Sequence, residues 1–350
     1  MTGTSCDGLD LALLEISGHG ENLQPKYLRG TQHDLGDLGP QLRRLAEGHA
    51  CTLEELCRIN NEFSSHHVQC IKASEFGQID LFVPHGQTLY HAPPLSIQLI
   101  NLQKIASELM VPVIGDLRGL DLARGGQGAP ITPKADHFFY GRSDENRVVL
   151  NLGGFCNLSF LSSNAQLESI QGFDVCATNL LLDLLARKVL DRPYDFEGQG
   201  ASEGTEIPAL RQNLEARLKR QHLKGQSLGQ RDLPHLEWME GQSLNHDLLK
   251  TACLAIGSVI GSAVHSLKAD RLLVAGGGAH NQVLMHAISQ SAGLLPEPCG
   301  NYGPPSEYRE AASMALLGTL SYDRVPITLE SVTGAKGSFI SGLTIDPRYP

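Results

Sequence analysis

The segment RLLVAGGGAHN, residues 271–281, passes from a short apolar run through Gly276, Gly277 and Gly278 to Asn281, where a helical pattern toward Ser291 begins. Strand, glycine turn and helix follow in the order that turns main-chain N–H groups and a helix N-terminus toward negative charge. The turn lacks the Lys-Ser/Thr ending of a P-loop, and no complete P-loop occurs elsewhere in the chain. A bound triphosphate would therefore depend on an ion and on main-chain donors for what that lysine supplies.

The same alternation extends outward from this segment. Leu248–Leu267, rich in Ala and Ser and apolar around much of its circumference, reads as a buried helix, and Glu307–Leu320 as the last strong one. The tail after Pro326 reads as coil with a short strand at most. Toward the N-terminus, VVLNLGGFCNLSFL (148–161) gives two apolar runs joined by Gly153 and Gly154, a hairpin. Helices are expected over Asn179–Val189 and Ile207–Leu218, separated by the glycine-laced stretch 191–208, and residues 211–235 form the most polar excursion. Earlier still, a turn from Gly3 to Gly8 precedes a strand starting at Leu9, and two helices lie between Leu42 and Phe76. A strand over Ile79–Val83 is stopped by Pro84 and followed by a polar loop with His85, Gln87 and His91. After a helix over Asn101–Leu109, the strand PVIGDLR delivers Asp116 and Arg118 into the glycine-rich loop 121–130. Strands alternating with helices in both halves select an α/β class with two domains, 1–146 and 147–350, and a cleft between them.

Composition narrows the function classes. With 350 residues, 41% hydrophobic and 19% charged, the chain has the size and balance of a folded enzyme rather than a disordered one. A formal net charge of −10 gives no basic footprint for nucleic acid or an anionic membrane. The 8 cysteines lack paired metal-site spacing and suit a reducing compartment. The start MTGTSCDG carries no basic-then-apolar leader and no uninterrupted apolar stretch reaches membrane-spanning length, so a cytoplasmic location is expected.

The chemistry candidates each carry a plainer alternative. Gly3, Thr4, Ser5 and Gly8 suit phosphate oxygens and Asp7 a divalent ion, or they form only an N-terminal turn. Asn151, Gly153 and Gly154 offer the same chemistry, or serve tight strand packing. Asp174, before the small-residue stretch 175–178, is a general base in a cleft, or it caps the next helix or binds the neighbouring turn. Asp116, Arg118, Asp121 and Gln127 suit sugar hydroxyls or form a salt-bridged loop; His85, Gln87 and His91 hydrogen-bond substrate or structure rather than metal. Glu310, among Ala311, Ala312 and Ala315, is solvated or faces the cleft, and Tyr194 and Trp238 read as packing residues.

In their order, MTGTSCDGLDLALLE, PHGQTLYHAP, VIGDLRGLDLARGGQGAPITP, NLGGFCNLSF, GFDVCATNLLLD, YDFEGQGASEG, LLVAGGGAHNQVLM, EYREAASMALLG and VTGA resemble the anhydro-N-acetylmuramic acid kinases over nearly the whole chain. These belong to the sugar kinase, heat-shock ATPase and actin superfamily. The resemblance implies an actin-like two-domain fold with ATP between the lobes, and the opening loop and Asn151–Asn157 around the phosphates with Mg2+ near Asp7. It implies Asp174 as the base that activates water against the anomeric carbon of a 1,6-anhydro sugar while O6 takes the γ-phosphoryl, Glu310 supporting that site. It further places Gly276, Gly277 and Gly278 on the adenosine side, with Gly198 and Asn281 among the nucleotide-binding residues, and His85, Gln87, Asp116, Arg118 and Gln127 on the sugar side. A cytoplasmic homodimer is implied as well.

The chain also departs from that pattern. After Asp174 the family's Thr-Gly-Pro-Gly/Ala-Asn is replaced by Val175-Cys176-Ala177-Thr178-Asn179, and Thr2 stands where a serine is usual. The family's PPKSTGRE stretch is matched only by residues 225–230, with Gln226 and Gln230 in place of Lys and Arg. Neutral amides do not replace full charges toward a carboxylate or phosphate. A related anhydrosugar without the lactyl carboxylate, a catalytically weakened homologue, an ATP-independent hydrolase using Asp174 and Glu310, and an actin-like polymer are the competing readings.

Overall fold

The computed structural model describes residues 1–3, 6, 8–164, 166–222, 228, 232–233 and 236–348. In chain order the regular elements are β1 (Gly8–Ser17), β2 (Gln24–Asp34), α1 (Leu38–Ala46), α2 (Leu53–Ala73), β3 (Gln87–Ala92), β4 (Leu95–Leu99), α3 (Leu102–Leu109), β5 (Val113–Gly115), α4 (Gly119–Ala123) and α5 (Pro133–Tyr140). There follow β6 (Arg147–Leu152), β7 (Phe155–Leu161), β8 (Gln171–Ala177), α6 (Asn179–Val189), α7 (Gln199–Glu203), α8 (Pro208–His222), α9 (His246–Ser266), β9 (Arg271–Ala275), α10 (Gln282–Ala292) and β10 (Pro296–Pro298). The last are α11 (Arg309–Tyr322), α12 (Glu330–Thr333) and β11 (Leu343–Ile345).

The chain forms two compact units, Met1–Phe139 with Gly303–Pro350, and Tyr140–Tyr302. This corrects the continuous division at residue 146 expected from sequence. Met314, Leu317 and Leu320 of α11 share a core with Ile114, Leu117 and Ile131, and β11 pairs antiparallel with β5. Such long-range packing leaves no local signal, so the tail reads as part of whatever precedes it.

In the second unit a 5-stranded sheet has the order β10-β9-β6-β7-β8, with β6, β9 and β10 parallel and β6, β7 and β8 antiparallel. Val148, Leu150, Leu158, Val175 and Leu272 are fully buried in a core shared with α6, α8, α9 and α10. Helix α9 has 21 residues, and its most apolar 18-residue window has a mean hydropathy of 1.5, enough by length and composition to span a membrane although polar residues interrupt it. Its apolar sides, from Leu248 to Val264, are instead buried within this unit. Trp238 belongs to the same core, as expected, whereas Tyr194 is 53% exposed.

The first unit is built from small sheets. β1 and β2 form a hairpin with an irregularity between Leu13 and Leu14. Strand β2, QPKYLRGTQHD, escaped the sequence reading because its pattern is mostly polar; pairing with β1, not apolar burial, makes it a strand. The expected strand over Ile79–Val83 shrinks to a single bridge between Phe82 and Val113. Ile79 and Phe82 are apolar because they pack against Ile105 and Val113, without a ladder. His85 leads into, and Gln87 begins, a real strand: β3 pairs with β4 where a polar loop was expected.

Candidate active site

Sheet register assembles the candidate residues of the second unit. Ala275, the residue before the glycine turn, pairs with Asn151; Asn151 pairs with Asn157; and Asn157 pairs with Asp174. Directly opposed residues share a face, so Asn151, Asn157 and Asp174 form a row across β6, β7 and β8. With strands about 4.8 Å apart, the row from Asn151 to Asp174 spans about 10 Å. An irregularity between Cys156 and Asn157 sets this alignment, because β8 skips Val175 there.

The turns at the end of the row are braced from below. The N–H groups of Thr178 and Asn179 donate to Gly154 O (2.9 Å) and Gly153 O (3.1 Å), and Asn179 Nδ2 donates to Leu152 O (3.0 Å). Asn179, at the start of α6, thus fixes the hairpin turn, a role that sequence reading did not assign to it. Gly276 has φ +86° and ψ 162°, and a Cβ there would lie 2.7 Å from Leu152 O, so the fold itself demands glycine. Gly277 and Gly153 differ: a Cβ would meet nothing nearer than 3.8 Å and 3.5 Å, respectively. Neither glycine is required by the protein's own packing, which fits a main chain kept bare for a close-lying ligand.

Other candidates carry structural duties. Asn281 is buried; its Oδ1 accepts the Leu284 N–H at 3.0 Å to cap α10, and its side chain crowds Gly198, whose φ is +73°. Asp195 anchors the neighbouring loop by accepting from Gly200 N (2.8 Å) and Ala201 N (2.9 Å). Cys156 and Cys176 lie opposite each other in register, and burial drives both thiols up, that of Cys176 to about 12, leaving them protonated and inert.

Asp174 is half-buried within β8, and its Oδ2 accepts the main-chain N–H of Leu228 at 2.7 Å. It does not cap the following helix: Thr178 holds the cap position of α6. Buried Gln221 of α8 accepts from Ala177 N at 3.0 Å and donates to the carbonyl of Asp232, tying the end of β8 to the far side of the polar excursion. Gln221 and Leu228 are further contributors that sequence reading missed; no local pattern marks an amide whose partners lie on other elements.

A second polar group forms in the first unit. Thr2 Oγ1 donates to Gln87 Oε1 at 2.5 Å, joining the opening segment to β3. Gln98 Nε2 donates to His85 Nε2 at 3.1 Å, so that ring nitrogen accepts and the proton sits on Nδ1. Burial, then the Arg118 guanidinium, push the His85 pKa well below its ordinary value. His91 is lowered by the same two causes in the same order, while the main chain of Gln127 opposes them. The structure therefore brings His85, Gln87, His91, Arg118 and Gln127 into one neighbourhood with neutral imidazoles. Asp116 faces solvent, at φ +51°, and its Oδ1 accepts the Gly119 N–H at 2.9 Å ahead of α4. Asp121 is fully buried and binds Gly128 N and Thr333 Oγ1, both at 2.7 Å, holding the glycine loop to α12.

Glu310 lies in the first turn of α11, where the helix dipole favours a carboxylate. The residue before it, Arg309, is 1% exposed and grips the fully buried Asp136 carboxylate with Nη2 at 2.6 Å from each oxygen. That pair fixes the start of α11 against α5. Thr4, Ser5, Asp7, Gln226 and Gln230 lie outside the described residues. Among the described residues, no group of three or more His, Cys, Asp or Glu is arranged to hold a metal ion. A magnesium ion bound through one or two carboxylates and substrate phosphates does not need such a cage.

The family model of "Anhydro-N-acetylmuramic acid kinase" matches residues 1–346. A protein of that name from Chromohalobacter salexigens is 32% identical over 364 residues, covering 98% of this chain and 97% of its own. Others from Bordetella avium and Salinibacter ruber are 31% and 30% identical, with 98% and 96% of this chain and 94% and 92% of theirs covered. A match of this extent, running through the register row and both glycine turns, makes the chain a member of the anhydro-N-acetylmuramic acid kinase family.

Proposed function

We propose that the protein is an ATP-dependent kinase that opens 1,6-anhydro-N-acetylmuramic acid hydrolytically and phosphorylates O6, in the recycling of cell-wall amino sugars. The observation that carries this reading is the row Asn151–Asn157–Asp174 beside the braced glycine turns, in a chain of this family. Asp174 takes the proton of a water whose oxygen attacks the anomeric carbon; the C1–O6 bond breaks, and O6 accepts the γ-phosphoryl with release of ADP. Asn151, Asn157, Gly153 and the turn Gly276–Gly278 hold the nucleotide, with Gly3, Thr4, Ser5 and Gly8 contributing from the opening loop, and Gly198 and Asn281 bordering the adenosine. Asp7 is the protein's ligand to Mg2+, which neutralises phosphate charge when bound. His85, Gln87, Asp116, Arg118 and Gln127 receive the sugar in an actin-like cleft, and Glu310 supports the reacting end. The enzyme works as a cytoplasmic homodimer.

The test is turnover of the anhydro sugar with ATP and Mg2+ in 18O-water, with D174N alongside. The expected result is a sugar 6-phosphate carrying 18O at C1 and one ADP per product, lost in D174N. Nucleotide binding without turnover would instead favour a weakened homologue, and product without ATP a hydrolase.

A further inference from the structure

Leu228 reaches the candidate base through its main chain. Leu228 is buried, 8% exposed, and its N–H donates to Asp174 Oδ2 at 2.7 Å. Gln221, 6% exposed, holds both roots of this arrangement, accepting from Ala177 on the strand of Asp174 and donating to the carbonyl of Asp232 beyond Leu228.

We infer that Leu228 is a positioning residue for Asp174, acting through its main-chain N–H, and that Gln221, bonded to both Ala177 and Asp232, supports that role. The inference rests on the reading of Asp174 as the base. A hydrogen bond from an amide to a carboxylate is charge-assisted and fixes the plane of the acceptor. A carboxylate so held meets its water without first losing rotamer freedom, which is where misplacement of a catalytic group costs most. The donor is main chain, so its supply is independent of which side chains stand at 226 and 230. The buried Leu228 side chain serves as its anchor.

The test compares L228P, which deletes the N–H, with L228M, which keeps it and nearly conserves volume, and with Q221E, which puts an acceptor against the Asp232 carbonyl. Folding of each variant is checked by the emission and melting of Trp238, the single tryptophan. The expected result is a fall in kcat of about tenfold or more for L228P, with KM for ATP unchanged, and wild-type behaviour in L228M. Q221E shows the same kcat-only loss to a smaller degree and decides the matter if L228P does not fold. Wild-type or raised kcat in L228P, or in Q221E where L228P does not fold, overturns the inference. D174N separates the two levels: an active D174N defeats the base assignment itself, whereas an inactive D174N beside a fully active L228P defeats only the positioning role.

Discussion

Gly276 and Gly277 are adjacent in sequence and carry opposite expectations. In Gly276→Ala the added Cβ meets Leu152 O at 2.7 Å and Leu152 N at 2.9 Å, both main chain that cannot swing away, at φ +86°. The backbone conformation alone costs about 1–3 kcal/mol, and with the clash about 3 kcal/mol is expected, a fall of about 6–12 °C in the melting midpoint of a unit this size. In Gly277→Ala the Cβ sits 3.8 Å from Asn179 Nδ2, in ordinary contact, at a φ open to any residue. Its stability should stay within about 0.5 kcal/mol of wild type. If the bare main chain at 277 serves a nucleotide, the same methyl weakens binding of a non-hydrolysable ATP analogue by about tenfold, or 1.4 kcal/mol. Urea denaturation followed by Trp238 fluorescence reads the first effect, and calorimetric titration the second. Wild-type affinity in G277A would refute the argument that this glycine is kept for a ligand; wild-type stability in G276A would refute the strain argument.

Buried His67 has its pKa lowered to about 3, chiefly by burial, so below pH 6.5 the unfolded chain binds a proton that the folded one refuses. Stability from this group is full above pH 6.5 and falls by about 2 kcal/mol between pH 7 and 5; H67M should flatten that slope in denaturant titrations, and an unchanged slope would contradict the assignment. Removing the carboxylate charge of the buried Arg309–Asp136 pair by D136N leaves the buried guanidinium charge uncompensated by it, at an expected cost of about 3–5 kcal/mol in chemical denaturation, and a loss under about 1 kcal/mol would show the pair no stronger than a surface contact. Because Glu310 follows Arg309 in the chain, D136N should also lower kcat at temperatures where it remains folded.

The glycine turns, the hairpin at 153–154 and the helices over 179–189, 248–267 and 307–320 were legible because local periodicity and punctuation residues specify them. The family was legible too, since ordered motifs are a property of the chain and not of its packing. The polar strand β2, the strand β3 that Gln87 begins, and the return of Gly303–Pro350 to the first unit were not, because each is decided by a partner distant in sequence. The choice at Asp174 shows the division most clearly. Its sequence neighbourhood allowed a helix cap or a base equally. The register that skips Val175 set it beside Asn157, and the Leu228 N–H, donated from across the unit, took hold of its carboxylate. Sequence determines which residue types and turns are available, whereas strand register and long-range hydrogen bonds decide which of them face one another.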